Sequence, residues 1–227
     1  MPEAGKQTSM KNNPVLPKLH AVILDMDGVL IDSEKCWKRA ELVFLARLIH
    51  DPDRFDTNRF IGLGMRDVYS LLVREHLIKV SEDEFRQVYH DAAAVIYKDW
   101  TCLMPGVLDF IGSARKKGLK IGLASSSPLS WIEMVLERFE LRTRFDQIVS
   151  SDHVGGEAKP SPRVYQHALS LLGVNSSKSL AIEDSCYGII SAKKAGLHCL
   201  GFRNGGNDHE DFSLADGEID SFENYEI

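Results

Sequence analysis

Ala21-Val22-Ile23-Leu24-Asp25-Met26-Asp27-Gly28-Val29-Leu30-Ile31-Asp32-Ser33 is the stretch that decides the fold. The first four residues are apolar and end abruptly in polar ones, the pattern of a strand buried on both faces in a parallel sheet. That strand ends on a carboxylate, a second carboxylate follows two residues later, and a glycine comes next. Ligands of open α/β sheets bind outside the carboxyl ends of the strands. Two acids placed there repel one another and lose hydration unless a cation or a substrate compensates. A chemical site is the simplest explanation.

The same punctuation recurs downstream. Lys120–Ala124 precedes Ser125, Gln147–Val149 precedes Ser150, Leu180–Ile182 precedes Glu183, and Leu197–Phe202 precedes Arg203. Helical periodicity separates these runs: Val107, Phe110, Ile111 and Ala114 share one face, as do Ile132, Val135, Leu136 and Phe139, and Val164, Ala168, Leu171 and Leu172. Ile189, Ile190, Ala192 and Ala195 suggest a further short helix stopped by Gly196. Alternating strands and helices predict a three-layer, Rossmann-like α/β core around a parallel sheet.

Residues 34–102 break the rhythm. They offer three helix-like segments, Glu34–Ile49, Met65–Ile78 and Ser81–Trp100, with a break at Ile61–Gly64 and a capping-box pattern in Ser81 and Glu84. A small all-helical domain inserted into the core is therefore expected, the core being residues 19–33 and 103–227. Residues 1–18 hold no apolar core and read as a flexible leader. The C-terminal stretch has no Lys or Arg after Arg203 and reads as solvated surface.

Composition narrows the function. The chain has 227 residues, 44% hydrophobic, and a formal net charge of −6. That balance argues against a nucleic-acid partner, and no apolar run approaches the roughly 20 residues of a membrane span. Four dispersed cysteines suggest reduced thiols and a cytoplasmic location, and the histidine spacings match no zinc motif. A monomer is the default expectation.

Taken together, the strand tips offer Asp25 and Asp27, Ser125, Lys159 from the Lys159-Pro160-Ser161-Pro162 loop, and Glu183 with Asp184. A carboxylate can attack phosphorus and split one displacement into two. Mg²⁺ takes oxygen ligands from one or two carboxylates and a phosphate, which suits Asp25 and Asp184 with Glu183 nearby. Ser125 and Lys159 can stabilise charge on a transferring group, and an acid two residues on can protonate a leaving alkoxide. Read singly, each has a bland alternative. Asp25 also fits a turn, Lys159 a solvated loop, and the Ser125–Ser127 and Ser185 hydroxyls fit helix caps.

With these motifs in this order, the chain resembles the haloacid dehalogenase superfamily over roughly residues 19–220, in its helical-cap branch of β-phosphoglucomutase-like sugar phosphatases and mutases. The resemblance implies Asp25 as nucleophile and metal ligand, and Asp27 as general acid and base with its backbone carbonyl on the metal. It implies Ser125 and Lys159 on the phosphoryl group, Glu183 and Asp184 as metal anchors, and Mg²⁺ as cofactor. Gly28, Ser126 and the cap residue Arg66 are the expected substrate-side positions, although Arg66 also fits an exposed helix start. Members of the mutase type carry a histidine four residues after the Ser/Thr closing the first motif, and a lysine on the last cap helix. Here Trp37 and Ala92 stand at those places. The departures favour hydrolysis of a small phosphomonoester (sugar, polyol or nucleoside monophosphate) over phosphosugar mutation, and the intact Asp25 and Asp27 argue against a non-catalytic binding role on the same scaffold.

Overall fold

The structure is a computed structural model that describes residues 16–44, 48–49, 65–223, 225 and 227. Residues 1–15 of the expected leader and the break at 61–64 lie outside the described residues. The core elements are β1 (Ala21–Leu24), α4 (Val107–Lys116), β2 (Lys120–Ala124), α5 (Leu129–Arg138), β3 (Gln147–Val149), α6 (Arg163–Leu172), β4 (Ser179–Glu183), α7 (Cys186–Lys194), β5 (His198–Phe202) and β6 (Gly217–Ile219). The strands form one six-stranded sheet in the order β3-β2-β1-β4-β5-β6, and every pairing is parallel.

β1 has no polar residue because it has no wet face. Val22 and Leu24 enter one apolar cluster with α4 and α5, while Ala21 and Ile23 enter the other with α6 and α7. Successive side chains of a strand point to opposite faces, so the two clusters are the two sides of the sheet and the three layers follow. Register fixes the site. Leu24 pairs with Leu123 on one side and Ile182 on the other. The residues that follow these strands therefore emerge together at one rim.

The C-terminal stretch departs from the expectation of plain solvated surface. Gly217–Ile219 pairs with β5, and Phe212, Ile219, Phe222 and Tyr225 are buried. Its apolar residues are scattered singly among acids, so they form no readable run. Two of those acids are neutralised from the core, Asp216 by Lys193 at 2.7 Å and Glu218 by Arg203 at 2.8 Å.

Between β1 and α4 the described residues contain helices and no strand: α1 (Ser33–Phe44), α2 (Met65–Arg74) and α3 (Glu82–Val95), closed by one π-helical turn at Ile96–Trp100. Ser81 and Glu84 form the expected reciprocal cap, with Ser81 Oγ accepting from Glu84 N at 3.2 Å and Glu84 Oε2 from Ser81 N at 2.9 Å. Val68, Leu72, Ile78, Phe85 and Tyr89 make a small apolar cluster of their own. The chain enters and leaves this segment side by side, since Asp32 N donates to Cys102 O at 3.0 Å. At the exit, the Arg138 guanidinium donates to the carbonyls of Tyr97 and Asp99 and to Thr101 Oγ1, at 3.0–3.1 Å, tying the π turn to the end of α5.

Candidate active site

The rim gathers four acids and one ammonium. Asp25 continues β1, with its N–H on Ile182 O at 3.1 Å. Glu183 is the last residue of β4, and Asp184 follows it. Carboxylate oxygens of Asp25, Glu183 and Asp184, all buried, lie within 4.8 Å of one another. Lys159 reaches them from the loop before α6. Its Nζ lies 2.5 Å from Asp25 Oδ1 and 2.7 Å from Glu183 Oε1, and donates to Ala124 O at 3.0 Å. The Lys159 loop is held in turn by its own N–H on Ser126 Oγ at 3.0 Å. Tyr165 OH donates to Glu183 Oε1 as well.

Electrostatics follow from this crowding. Burial alone would pull the Lys159 ammonium down, but Asp25 and Glu183 more than offset it and hold it above the usual lysine range. Burial raises Glu183 above the usual carboxylate range; Lys159 opposes the rise and Asp25 adds to it. Asp184 is pushed well up by burial and then by Asp25, Glu34 and Glu183. One cation thus faces a surplus of negative charge in a place with little water.

Asp27 stands apart from that trio in a pocket of hydroxyl donors. Ser33 Oγ and Tyr97 OH donate to its Oδ1 at 2.5 and 2.9 Å, and Ser127 Oγ to its Oδ2 at 2.9 Å. Burial, and secondarily Asp25, raises its carboxyl to about 6 against the lowering effect of these donors.

Gly28 follows with φ of 74°, a left-handed conformation that costs a residue with a Cβ roughly 1–2 kcal/mol. Space matters more. An added Cβ would overlap the Asp184 carboxylate and lie 2.9 Å from Asn204 Nδ2. Gly28→Ala is therefore expected to lose roughly 2–4 kcal/mol in urea unfolding, strain and overlap acting together. Gly188 is a second such cradle, since a Cβ there would overlap the Glu183 carboxylate.

The expected residues are thus sorted. Asp25, Asp27, Lys159, Glu183 and Asp184 meet at the rim. Ser125 is buried at the tip of β2 with its Oγ accepting from Ser127 N at 3.0 Å. Ser126 braces the Lys159 loop, and Gly28 permits the approach of Asp184. Arg66 begins α2, but its side chain lies outside the described residues. Sequence reasoning missed several partners. Ser33 and Tyr97 hold Asp27, as does Ser127, whose sequence context suggests only a cap. Tyr165 holds Glu183. Asn204 Nδ2 donates to Asp184 Oδ2 at 2.9 Å and to Gly28 O at 3.1 Å, and Asn207 Nδ2 donates to Asp184 O at 2.6 Å. Asn204 had a usable signal, since it lies just beyond a strand tip. Tyr97 had none.

The sequence profile of the haloacid dehalogenase-like hydrolases matches residues 22–202. Hexitol phosphatase B of Escherichia coli is 36% identical over 182 residues, 79% of this chain and 82% of the relative. A phosphorylated carbohydrates phosphatase of Thermotoga maritima is 32% identical over 180 residues, again 79% and 82%. The solved structure of CbbY from Rhodobacter sphaeroides in complex with phosphate superposes with a TM-score of 0.78 at 28% identity, covering 90% of this chain and 95% of that one. With the parallel sheet and the rim of acids already in place, these likenesses settle the lineage: the chain belongs to the haloacid dehalogenase-like hydrolases, in their β-phosphoglucomutase-like sugar phosphatase branch.

Proposed function

We propose that the chain is a Mg²⁺-dependent phosphatase that hydrolyses a small phosphomonoester through an aspartyl-phosphate intermediate. Hydrolysis of phosphoric monoesters is what the family and its named phosphatases support, and those names favour a phosphorylated sugar or polyol over a nucleoside monophosphate. One observation carries the reading: Asp25, Glu183 and Asp184 converge within 4.8 Å, and Lys159 bridges two of them.

The residues present fit Mg²⁺. Of three buried carboxylates only two pair with the one ammonium, and Glu183 Oε2 is buried with no hydrogen-bond partner among the described residues. Hard oxygen donors of this kind suit that cation. Asp25, Glu183, Asp184 and the Asp27 backbone carbonyl would hold it. When bound, it neutralises charge on the phosphoryl oxygens and on the clustered acids.

The chemistry belongs to the side chains. Lys159 occupies Asp25 Oδ1, and Asp25 Oδ2 accepts no hydrogen bond among the described residues, which frees it to attack phosphorus. As that P–O bond forms, the ester P–O bond breaks and the departing alkoxide takes a proton from Asp27. Asp27, now a carboxylate, then takes a proton from the water that attacks the aspartyl-phosphate. Orthophosphate leaves and both acids return to their starting forms. Lys159 and Ser125 serve the equatorial oxygens, where preset donors contribute most.

Residues 34–102 act in this proposal as a cap domain over a core of residues 19–33 and 103–227, with Arg66, Gly28 and Ser126 on the substrate side. Transfer to a second sugar, as in a mutase, is disfavoured by the two departures noted above. Trp37 is packed among aromatic rings, 5.6 Å from Tyr89 and 5.3 Å from Trp131, and Ala92 is buried in the core. No described helix is long and apolar enough to cross a membrane. A monomer working in the cytoplasm completes the proposal.

Purified protein should release phosphate from hexose, polyol or nucleoside monophosphates in Mg²⁺, lose that activity in EDTA, and regain it when Mg²⁺ is restored. Mg²⁺ should also raise the melting temperature without substrate, because binding to the folded state alone stabilises it. Turnover indifferent to Mg²⁺, or no phosphate from any of these esters, would refute the reading.

A further inference from the structure

Tyr97 belongs to the π turn that closes the helical segment, yet its hydroxyl lies in the core site. It is fully buried, and its oxygen is 2.9 Å from Asp27 Oδ1 and 3.2 Å from Trp37 Nε1. We infer that Tyr97 is a positioning residue for Asp27: oriented by the Trp37 indole, its O–H occupies Oδ1 and leaves Oδ2 to carry the proton to the leaving group. The inference rests on the hydrolytic reading above and deepens it by assigning the proton to one oxygen.

Donor and acceptor counting supports it. An indole N–H can only donate, and a phenol has a single proton. Because Trp37 donates to the Tyr97 oxygen, the Tyr97 proton is free to point at Asp27 Oδ1. Ser33 Oγ, at 2.5 Å, donates to the same oxygen. A carboxylate oxygen offers about two lone-pair sites, so Oδ1 is full. Among the described residues Oδ2 has one partner, Ser127 Oγ at 2.9 Å, and keeps one site. A proton on Oδ1 would evict one of two donors whose own side chains are fully buried, and an evicted buried donor costs about 1–3 kcal/mol. A proton on Oδ2 evicts nothing. When the ester P–O bond breaks, that proton passes from Oδ2 to the alkoxide oxygen. The charge left on Asp27 is then met on Oδ1 by the Tyr97 and Ser33 hydroxyls.

The bland alternative is that Tyr97 is a packing residue. Its ring does lie 6.0 Å from Trp37 and 5.8 Å from Trp131. Packing needs the ring and not the hydroxyl, so Tyr97→Phe separates the two roles. The decisive readout is dependence on the leaving group, measured as kcat/KM in Mg²⁺ with the full chain. Sorbitol 6-phosphate expels an alkoxide that must be protonated. p-Nitrophenyl phosphate expels a phenolate that leaves without a proton. Tyr97→Phe is expected to lose roughly 10–50-fold on sorbitol 6-phosphate, part of the 10²–10⁴ that general acid catalysis supplies, and less than about twofold on the aryl ester. Trp37→Phe keeps a ring but removes the orienting N–H, and should show the same split at smaller size.

An equal loss on both esters, as a structural role would give, overturns the inference, and so does no loss on either. Should Tyr97→Phe fail to fold, Trp37→Phe carries the test under the same criteria. A wild-type protein that releases phosphate from neither ester, nor from any hexose, polyol or nucleoside monophosphate, removes the hydrolytic reading and this inference with it. An active wild type with a uniform Tyr97→Phe defect removes this inference alone.

Discussion

Asp25→Asn is expected to abolish phosphate release, by about 10⁴-fold or more, while leaving the metal-free protein at least as stable as wild type. The first half follows from chemistry. An amide oxygen still accepts from Lys159, so the local geometry survives, but it cannot form the acyl phosphate that divides the displacement into two steps. The second half follows from charge. Asp25 adds to the repulsion felt by Asp27, Glu183 and Asp184. Neutralising it relieves three carboxylates at once, and Lys159 keeps Glu183 as an ionic partner at 2.7 Å. The same loss of charge should shrink the rise in melting temperature that Mg²⁺ produces, because one of its ligands has become neutral. Thermal melting with EDTA and with Mg²⁺, beside a phosphate-release assay, checks all three statements. Residual turnover within tenfold of wild type would remove Asp25 from the nucleophile's place.

That a single substitution touches so many groups shows which features a linear reading can reach. The acids were legible because each sits at the end of an apolar run, and the direction of the chain in a parallel sheet sends such ends to one rim. Lys159 was legible by its place before α6 among prolines and serines, not by any strand. What could not be read is the support around them. Tyr97 looks like one more apolar position in a helical segment, and only the fold brings it beside Asp27, 70 residues away. Asn207 lies in a Gly-rich loop, where asparagine is ordinary turn chemistry, yet it fastens Asp184 O and Phe202 O. β6 was invisible for a related reason: three residues with one charged member carry no periodicity. Local pattern reports elements and their ends, whereas hydrogen-bond partners across the sheet depend on strand order and register, which no short window contains.

Lys159→Met should have the largest effect on stability, about 3–5 kcal/mol, because removing one partner of a buried ion pair strands the other charge. Here it strands two. Lys159 Nζ sits between Asp25 Oδ1 and Glu183 Oε1, and all three side chains are almost wholly enclosed. Methionine has nearly the length of lysine and keeps its apolar stem packed, so the loss should come from charge and not from a cavity. Two measurements separate that cause from general damage. Mg²⁺ should raise the melting temperature of Lys159→Met more than that of wild type, since the cation meets more uncompensated negative charge. Adding Glu183→Gln should recover part of the loss, so that the double variant is less destabilised than the sum of the singles. Coupling of that sign is what a double-mutant cycle reports for groups in direct contact. Strictly additive losses, together with an unchanged response to Mg²⁺, would mean that Lys159 is not the counter-ion of these acids.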